Sequence, residues 1–413
     1  MGSSSRWGAM LLVSGSLIAH SAALAQPRPA GLRPAPSSPE GGLWDVMDKV
    51  ETQMKRSAEL NADPALNAYV RQVACKVAAD YCDALRVYVL DRPFFNATMA
   101  PNGYTEVWSG LFLRCEDEAE LAYVLGHETS HFAESHSIEQ HTAQKNRMNV
   151  ALVLSVGVAV AGAVAASSAY DVESARAMMD ATGSLVDVIY LSAVAGYFRF
   201  NREQESEADI LGLRRAAAAG YRSSAAADSW RGLRAETASS QFERKRKQDT
   251  RLGIFDTHPL SVERIEALEL EAAKLPAQGD ESGKERYRAA IRPFLAAWLK
   301  DDLRRRDFGE TLHLIDRLAR SGEDRGILDF YRGESFRLRG GDGDLALARD
   351  AYLAASAYPD APVAVWRELG EAQRRSGQPA QARDSLQTYL DKASGAEDAW
   401  IVRDTLETLS KGA

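Results

Sequence analysis

The run His127-Glu128-Thr129-Ser130-His131 restricts the fold of this chain more than any other feature. Residues four apart on an α-helix lie one turn apart on the same face, so both imidazoles can project together with Glu128 beside them. The surrounding Asp117–Ser137 carries strong helix signals. Asp117 with Glu120 three residues later resembles a capping box, acidic residues fill the first turn, and Leu121, Val124, Leu125 and Phe132 mark an apolar stripe. Val124, His127 and His131 fall on one stripe, which turns the histidines inward. Such a five-residue pattern arises by chance in roughly one chain of this kind per hundred, so its context matters. Only seven histidines occur in 413 residues, yet His127, His131, His136 and His141 all fall here. A scarce ligand type concentrated on one helix points to a metal, and tetrahedral zinc takes such nitrogen pairs while leaving a position open for water.

A third ligand must then come from elsewhere. In the metzincin pattern a third histidine follows ten residues after the first, behind a glycine, but Ser137 and Glu134 hold those positions. His136 lies nine residues after His127 and, on a continuing helix, faces the opposite way, so it is not expected to bind. The segment Asn201–Leu213, on a helix expected over Arg199–Ala219, offers Glu205 with Asp209 four residues later on the same face. Glu205 suits a metal-bound carboxylate, and Asp209 suits an outer acceptor that orients one of the histidines through its free ring N–H.

The rest of the chain divides by composition. Residues 1–25 read as a secretory signal, with Arg6 the only charge, an apolar run from Trp7 to Ile18 interrupted by Ser14 and Ser16, and Ala23-Leu24-Ala25 before the cleavage point, an uncleaved N-terminal anchor being the other reading. Residues 26–42 hold five of the 14 prolines and read as a flexible or extended linker. A first folded domain is expected over 43–279. It begins with helix over 43–80 and continues with strands at Arg86–Asp91, Phe95–Ala100 and Tyr104–Trp108, the last two joined by a hairpin at Asn102-Gly103. Over 280–413 consecutive helices with short glycine-containing turns mark a second domain. Cys75 and Cys82 either close a short disulfide loop, leaving Cys115 odd, or all three are buried free thiols. The net charge of −8 excludes a chain built to neutralise phosphates, so no nucleic-acid partner is expected.

HExxH, then Glu205-xxx-Asp209 some seventy residues on, then His258-Pro259 with Arg264, together resemble the zinc metalloproteases that include the CaaX prenyl proteases, the mitochondrial OMA-type protease and periplasmic assembly proteases. Asn96–Leu111 resembles that family's edge hairpin. The resemblance covers about residues 45–275, with one departure: Ser130 stands where the family often has glycine. It implies an α+β, mainly helical fold, with a zincin-type domain bearing a small sheet and hairpin. It also implies one Zn2+ held by His127, His131 and Glu205, with Glu128 as catalytic base and Asp209 behind a ligand. His258 and Arg264 are implied to steady the tetrahedral intermediate. His258 has two other readings: a resting fourth ligand, or a helix-start residue before Pro259. In this chemistry the metal acidifies water and polarises a peptide carbonyl while Glu128 moves the proton. An edge strand at Asn96, Ala97, Thr98 and Met99 would pair with an extended peptide through backbone bonds, which suits unfolded protein as substrate.

Val150–Ala166 is 17 residues without a charge, but a single crossing there would put Glu205 and His127 on opposite sides of a membrane. A packed hairpin or lid touching a membrane surface is expected instead, with Arg244–Lys247 as a basic run that could approach anionic headgroups. In the second domain Trp366, Leu369, Gly370, Ala382 and Leu386 match tetratricopeptide spacing, and Ala348 with Tyr352 repeats the Ala382 and Leu386 pair 34 residues earlier. An all-α, tetratricopeptide-like domain that recruits an envelope partner or holds substrate is expected, a plain helical bundle being the other reading. The expected protein is an exported, periplasmic zinc endopeptidase for unfolded or misassembled envelope proteins. The alternative is a chaperone or scaffold with a silent zinc site that binds through its helical repeats.

Overall fold

The computed structural model describes residues 27–140, 200–247, 262–275 and 281–411. The signal segment, Val150–Ala166, His141 and His258 lie outside the described residues. The chain is mainly helical with one small sheet. Helices α1 (Pro39–Met54) and α2 (Pro64–Val77) each start with proline behind a side-chain cap, Ser38 accepting from the Gly41 N–H and Asp63 from that of Leu66. The expected continuous helix over 43–80 is therefore broken at residues 55–63, where Pro64 holds Asp63 in extended backbone. A 3-10 turn (Ala79–Ala84) follows α2, and a disulfide joins Cys75 to Cys82 across this junction. Cys115 is a buried free thiol.

Strand β1 (Arg86–Leu90) runs parallel to β3 (Tyr104–Trp108), and β2 (Ala97–Met99) pairs antiparallel with β3, giving the order β1-β3-β2. The β2 strand is shorter than the expected 95–100 and lies at the sheet edge. Gly103 makes the turn between them with φ +84°, where a Cβ would stand 2.1 Å from the Ala84 carbonyl oxygen. Next come α3 (Ser109–Arg114) and α4 (Glu118–Ala133), the helix of the HExxH run, with every residue buried. Asp117 caps α4 by accepting from the Glu120 N–H, but Glu120 reaches back to the N–H of Glu116 rather than to that of Asp117. Helix α5 (Arg202–Ala218) opens with a full capping box between Asn201 and Gln204. It crosses α4 backbone to backbone. A Cβ on Gly126 would stand 2.8 Å from the Gly212 oxygen, and one on Gly212 would stand 2.6 Å from the His127 nitrogen. Helices α6 (Ala225–Ala238), α7 (Glu243–Lys247) and α8 (Val262–Ala272) complete this part.

The reading of residues 26–42 as a flexible linker is corrected over the described residues. Arg28 is buried, its N–H bonds the Ala133 carbonyl at the end of α4, and its own carbonyl accepts from the Tyr81 hydroxyl. Its guanidinium pairs with Glu40 and covers the rings of Trp44 and Phe132. A long cationic stem can bury over aromatic rings while its charge is paired, which proline content alone does not reveal. The basic run at α7 is likewise partly committed: Lys245 pairs with Glu310 at 2.6 Å, and Arg246 donates to the Ser240 carbonyl. Among the described residues no helix is long and apolar enough to cross a membrane.

After residue 280 come α9 (Lys284–Ile291), α10 (Leu295–Leu303), α11 (Phe308–Ala319), α12 (Arg325–Arg339), α13 (Asp344–Ala355), α14 (Ala364–Arg375), α15 (Pro379–Lys392) and α16 (Ala399–Lys411). Pairs α12/α13 and α14/α15 use one packing device, a glycine on the first helix against a large side chain on the second: Gly333 on Tyr352, and Gly370 on Leu386. The first of these helices share one apolar core with the residues before 280. Trp298 stacks on Phe112 at 5.3 Å and donates to Asp91, and the Tyr287 hydroxyl donates to the Phe112 carbonyl. Buried Arg114 donates to Glu236 on α6 and Asp302 on α10, at 2.6 and 2.8 Å.

Replacing Arg114 by methionine would leave buried Glu236 and Asp302 sharing the one guanidinium of Arg305, so Arg114→Met is expected to destabilise the fold by about 3 kcal/mol in denaturant titration. Glu120 gives a pH signature. Burial pushes its carboxyl up to about 7, against the Glu116 N–H and the Arg317 charge. The folded state therefore keeps a proton that the unfolded chain has lost, and stability falls as pH rises from the ordinary carboxylate range through about 7. Glu120→Gln is expected to flatten that slope and to raise stability at pH 8 by on the order of 2–3 kcal/mol, read by denaturation at several pH values.

Candidate metal centre

The glycine crossing sets α4 and α5 close enough for short carboxylates to reach imidazoles. His127 and His131 bring their Nε2 atoms to 3.1 Å, with the rings edge to face. The Glu205 carboxylate faces both, Oε2 at 3.7 Å from His127 Nε2 and Oε1 at 3.6 Å from His131 Nε2. A tetrahedron with bonds of about 2.0–2.1 Å has edges of roughly 3.3–3.4 Å. The three observed separations bracket that edge, and the two imidazoles and one carboxylate are all buried. Glu128, Glu205 and Asp209 also bury three carboxyl groups on these two helices, and the Arg264 guanidinium bonds two of them. A divalent cation would offset the remaining negative charge. The donor set and its charge fit a metal ion.

Asp209 stands behind His127, its Oδ1 3.1 Å from the Nδ1. It accepts from the Tyr123 hydroxyl at 2.8 Å and from both Nε and Nη2 of Arg264, at 2.6 and 2.7 Å. Trp230 donates in turn to the Tyr123 hydroxyl, and its ring carries the Arg264 guanidinium. Burial alone would raise the Asp209 pKa, but Arg264 overrides it and holds the carboxyl well below the usual range. Asp209 is thus an ionised acceptor placed to hold the Nδ1–H tautomer of His127, with Nε2 turned toward His131 and Glu205.

The structure brings His127, His131, Glu205, Asp209 and Arg264 together, with Glu128 buried next to His127 on α4. Arg264 differs in what it touches. Its guanidinium is bonded to Asp209 and, at 3.0 Å, to Glu205, so it braces these carboxylates. Ser130 fits without distortion, its hydroxyl donating to the Gly126 carbonyl at 2.8 Å. Asn96, Ala97, Thr98 and Met99 lie on or beside β2, which packs against α4, with Asn96 and Thr98 half-buried and Ala97 and Met99 buried. Sequence reasoning missed Tyr123, whose hydroxyl donates to Asp209, and Trp230, whose indole N–H donates to that hydroxyl. It also set aside His136, which is buried with its Nδ1 2.8 Å from the Nδ1 of His131.

Residues 60–272 match the description of peptidase family M48, just over half of the chain. The chain belongs to peptidase family M48. An M48 member is a metallopeptidase, and the His127–His131–Glu205 group is where this one can hold its metal. A putative beta-barrel assembly-enhancing protease of Vibrio cholerae is 28% identical over 163 residues, 38% of this chain and 31% of that protein. The mitochondrial metalloendopeptidase OMA1 of Schizosaccharomyces pombe is 30% identical over 183 residues, 44% of this chain and 45% of its own length. The beta-barrel assembly-enhancing protease of Yersinia pestis is 28% identical over 165 residues, covering 39% and 31%. Each match spans less than half of the relative.

Removing the charge behind His127 should loosen the metal without removing a ligand. Asp209→Asn is expected to weaken metal affinity about 10–100-fold in competition with a chromophoric chelator. Unchanged affinity would mean that Asp209 has no part in orienting His127.

Proposed function

We propose that this M48 member is an exported zinc endopeptidase that cleaves unfolded or misassembled envelope proteins. The observation that carries the reading is the convergence of His127, His131 and Glu205 on one point, with Glu128 on the same helix. His127, His131 and Glu205 hold the Zn2+, which when bound supplies Lewis acidity to water and to the scissile carbonyl. Glu128 accepts the proton from the attacking water and delivers it to the leaving amine as the carbon–nitrogen bond breaks. Arg264, Tyr123 and Trp230 keep Asp209 fixed, and Asp209 keeps His127 in place. The edge strand β2, from Asn96 to Met99, holds the substrate by backbone pairing, which reads an extended chain with little regard to side chains.

Export is supported by the Cys75–Cys82 disulfide, since such bonds persist in oxidising compartments. The envelope setting draws on relatives named as beta-barrel assembly-enhancing proteases. Between α10, α12 and α14 runs a groove of about 630 Å³ lined by Leu303, Phe330 and Tyr331 together with Arg304, Arg337 and Arg367, which offers a mixed apolar and charged surface to an unfolded segment or an envelope partner.

The test pairs metal analysis with one substitution. Purified protein should contain one zinc per chain and degrade a permanently unfolded protein, and a strong chelator should abolish this until zinc is restored. Glu128→Gln is expected to retain zinc and stability while cleavage falls by at least about 100-fold. Stoichiometric zinc without any cleavage would favour a scaffold with a silent site.

A further inference from the structure

We propose that His136 and Glu207 form a relay that positions the imidazole of His131, an inference that rests on the metal-centre reading above. Helix α4 ends at Ala133, and Ser135 adopts φ +60°, the left-handed region that non-glycine residues avoid. Residues 136–140 then start a new helical stretch. This break resets the helical phase. On an unbroken helix His136 would lie across the axis from His127, but after the left-handed residue it folds back against His131, with ring centroids 5.0 Å apart.

The contacts run in one line. His131 Nδ1 is 2.8 Å from His136 Nδ1, and His136 Nε2 is 3.3 Å from Glu207 Oε2. If His131 offers the Nε2 lone pair to a metal, its proton sits on Nδ1 and must be donated. His136 Nδ1 is then the acceptor, so the His136 proton sits on Nε2 and is donated to Glu207. One choice of tautomer at the metal fixes every proton along the line. Phe200 stacks on His131 at 3.7 Å and 14°, fixing the plane of the ring while His136 fixes its rotation within that plane. The strained Ser135 backbone fits this role, because local strain persists where surrounding contacts hold it and collects at functional sites.

The relay also answers an asymmetry. His127 is braced directly by Asp209, while His131 Nδ1 meets His136, whose other ring nitrogen meets Glu207 on α5. Glu207 sits two residues from Glu205, so α5 contributes a ligand and a brace for each of the two histidines.

Co2+ titration of metal-free protein tests the proposal, with visible absorption reporting ligand geometry. His136→Leu, which fills the space without an acceptor, is expected to weaken Co2+ binding about 10–100-fold and to alter the visible bands. His136→Asn places its Oδ1 near the lost Nδ1 and should recover most of the affinity and the spectrum. If the Leu and Asn variants bind Co2+ alike with the wild-type spectrum, the relay is overturned. Glu207→Leu, at a half-exposed position that folding tolerates, tests the outer link even if His136→Leu does not fold. It should weaken Co2+ binding by about threefold to tenfold, and wild-type affinity there would also overturn the relay. Wild-type protein that takes up no Co2+ would bring down the metal-centre reading itself, whereas uptake unaffected by these variants would bring down the relay alone.

Discussion

At the crossing of α4 and α5 two backbones touch with no side chain between them, and the metal centre depends on that contact. Gly126 and Gly212 meet so closely that a methyl group on either would overlap the opposite main chain. Glu205 and Asp209 are short side chains, and they reach His127 and His131 only because the helices are allowed this approach. Glycine within a helix gives up stability relative to alanine. Here two of them face each other, and the neighbouring Ser130 returns a hydrogen bond to the Gly126 carbonyl. Overpacking at such a point forces the helices apart or bends them.

A helix buried on every side must be sealed by the rest of the molecule, and each seal of α4 is specific. Its first turn is held by Asp117 and by Tyr69, Tyr221 and Arg286 on Glu118. Its last turn receives the N–H of Arg28. The helices beyond residue 280 join the same enclosure through Trp298, Tyr287 and the Arg114–Glu236–Asp302 group. They are therefore part of the body that supports the metal helix, and the sequence boundary near 280 does not coincide with a gap in packing.

The legible parts of the site were those governed by helical period. His127, His131, Glu205 and Asp209 each obey a spacing of four, and their faces could be read from the chain. The place of His136 beside His131 was not legible because it depends on one left-handed residue, Ser135, and a serine carries no signal for that conformation in the way a glycine or asparagine would. Arg28 was misread because proline content describes backbone preference, whereas its burial comes from two distant rings. Tyr123, Trp230 and Arg114 act through partners about 80 to 190 residues away, a separation that no local pattern encodes. Arg264 was found by resemblance, and its bonds show that it braces carboxylates.

Helix α5 carries Glu205, Glu207 and Asp209 within little more than one turn. A slip of this helix by a single residue would shift it by about 1.5 Å and rotate it by roughly 100°, withdrawing the carboxylate ligand and the braces of both histidines together. Because all three carboxylates sit on one rigid element, a change in the axial register of α5 would move them together and not one at a time.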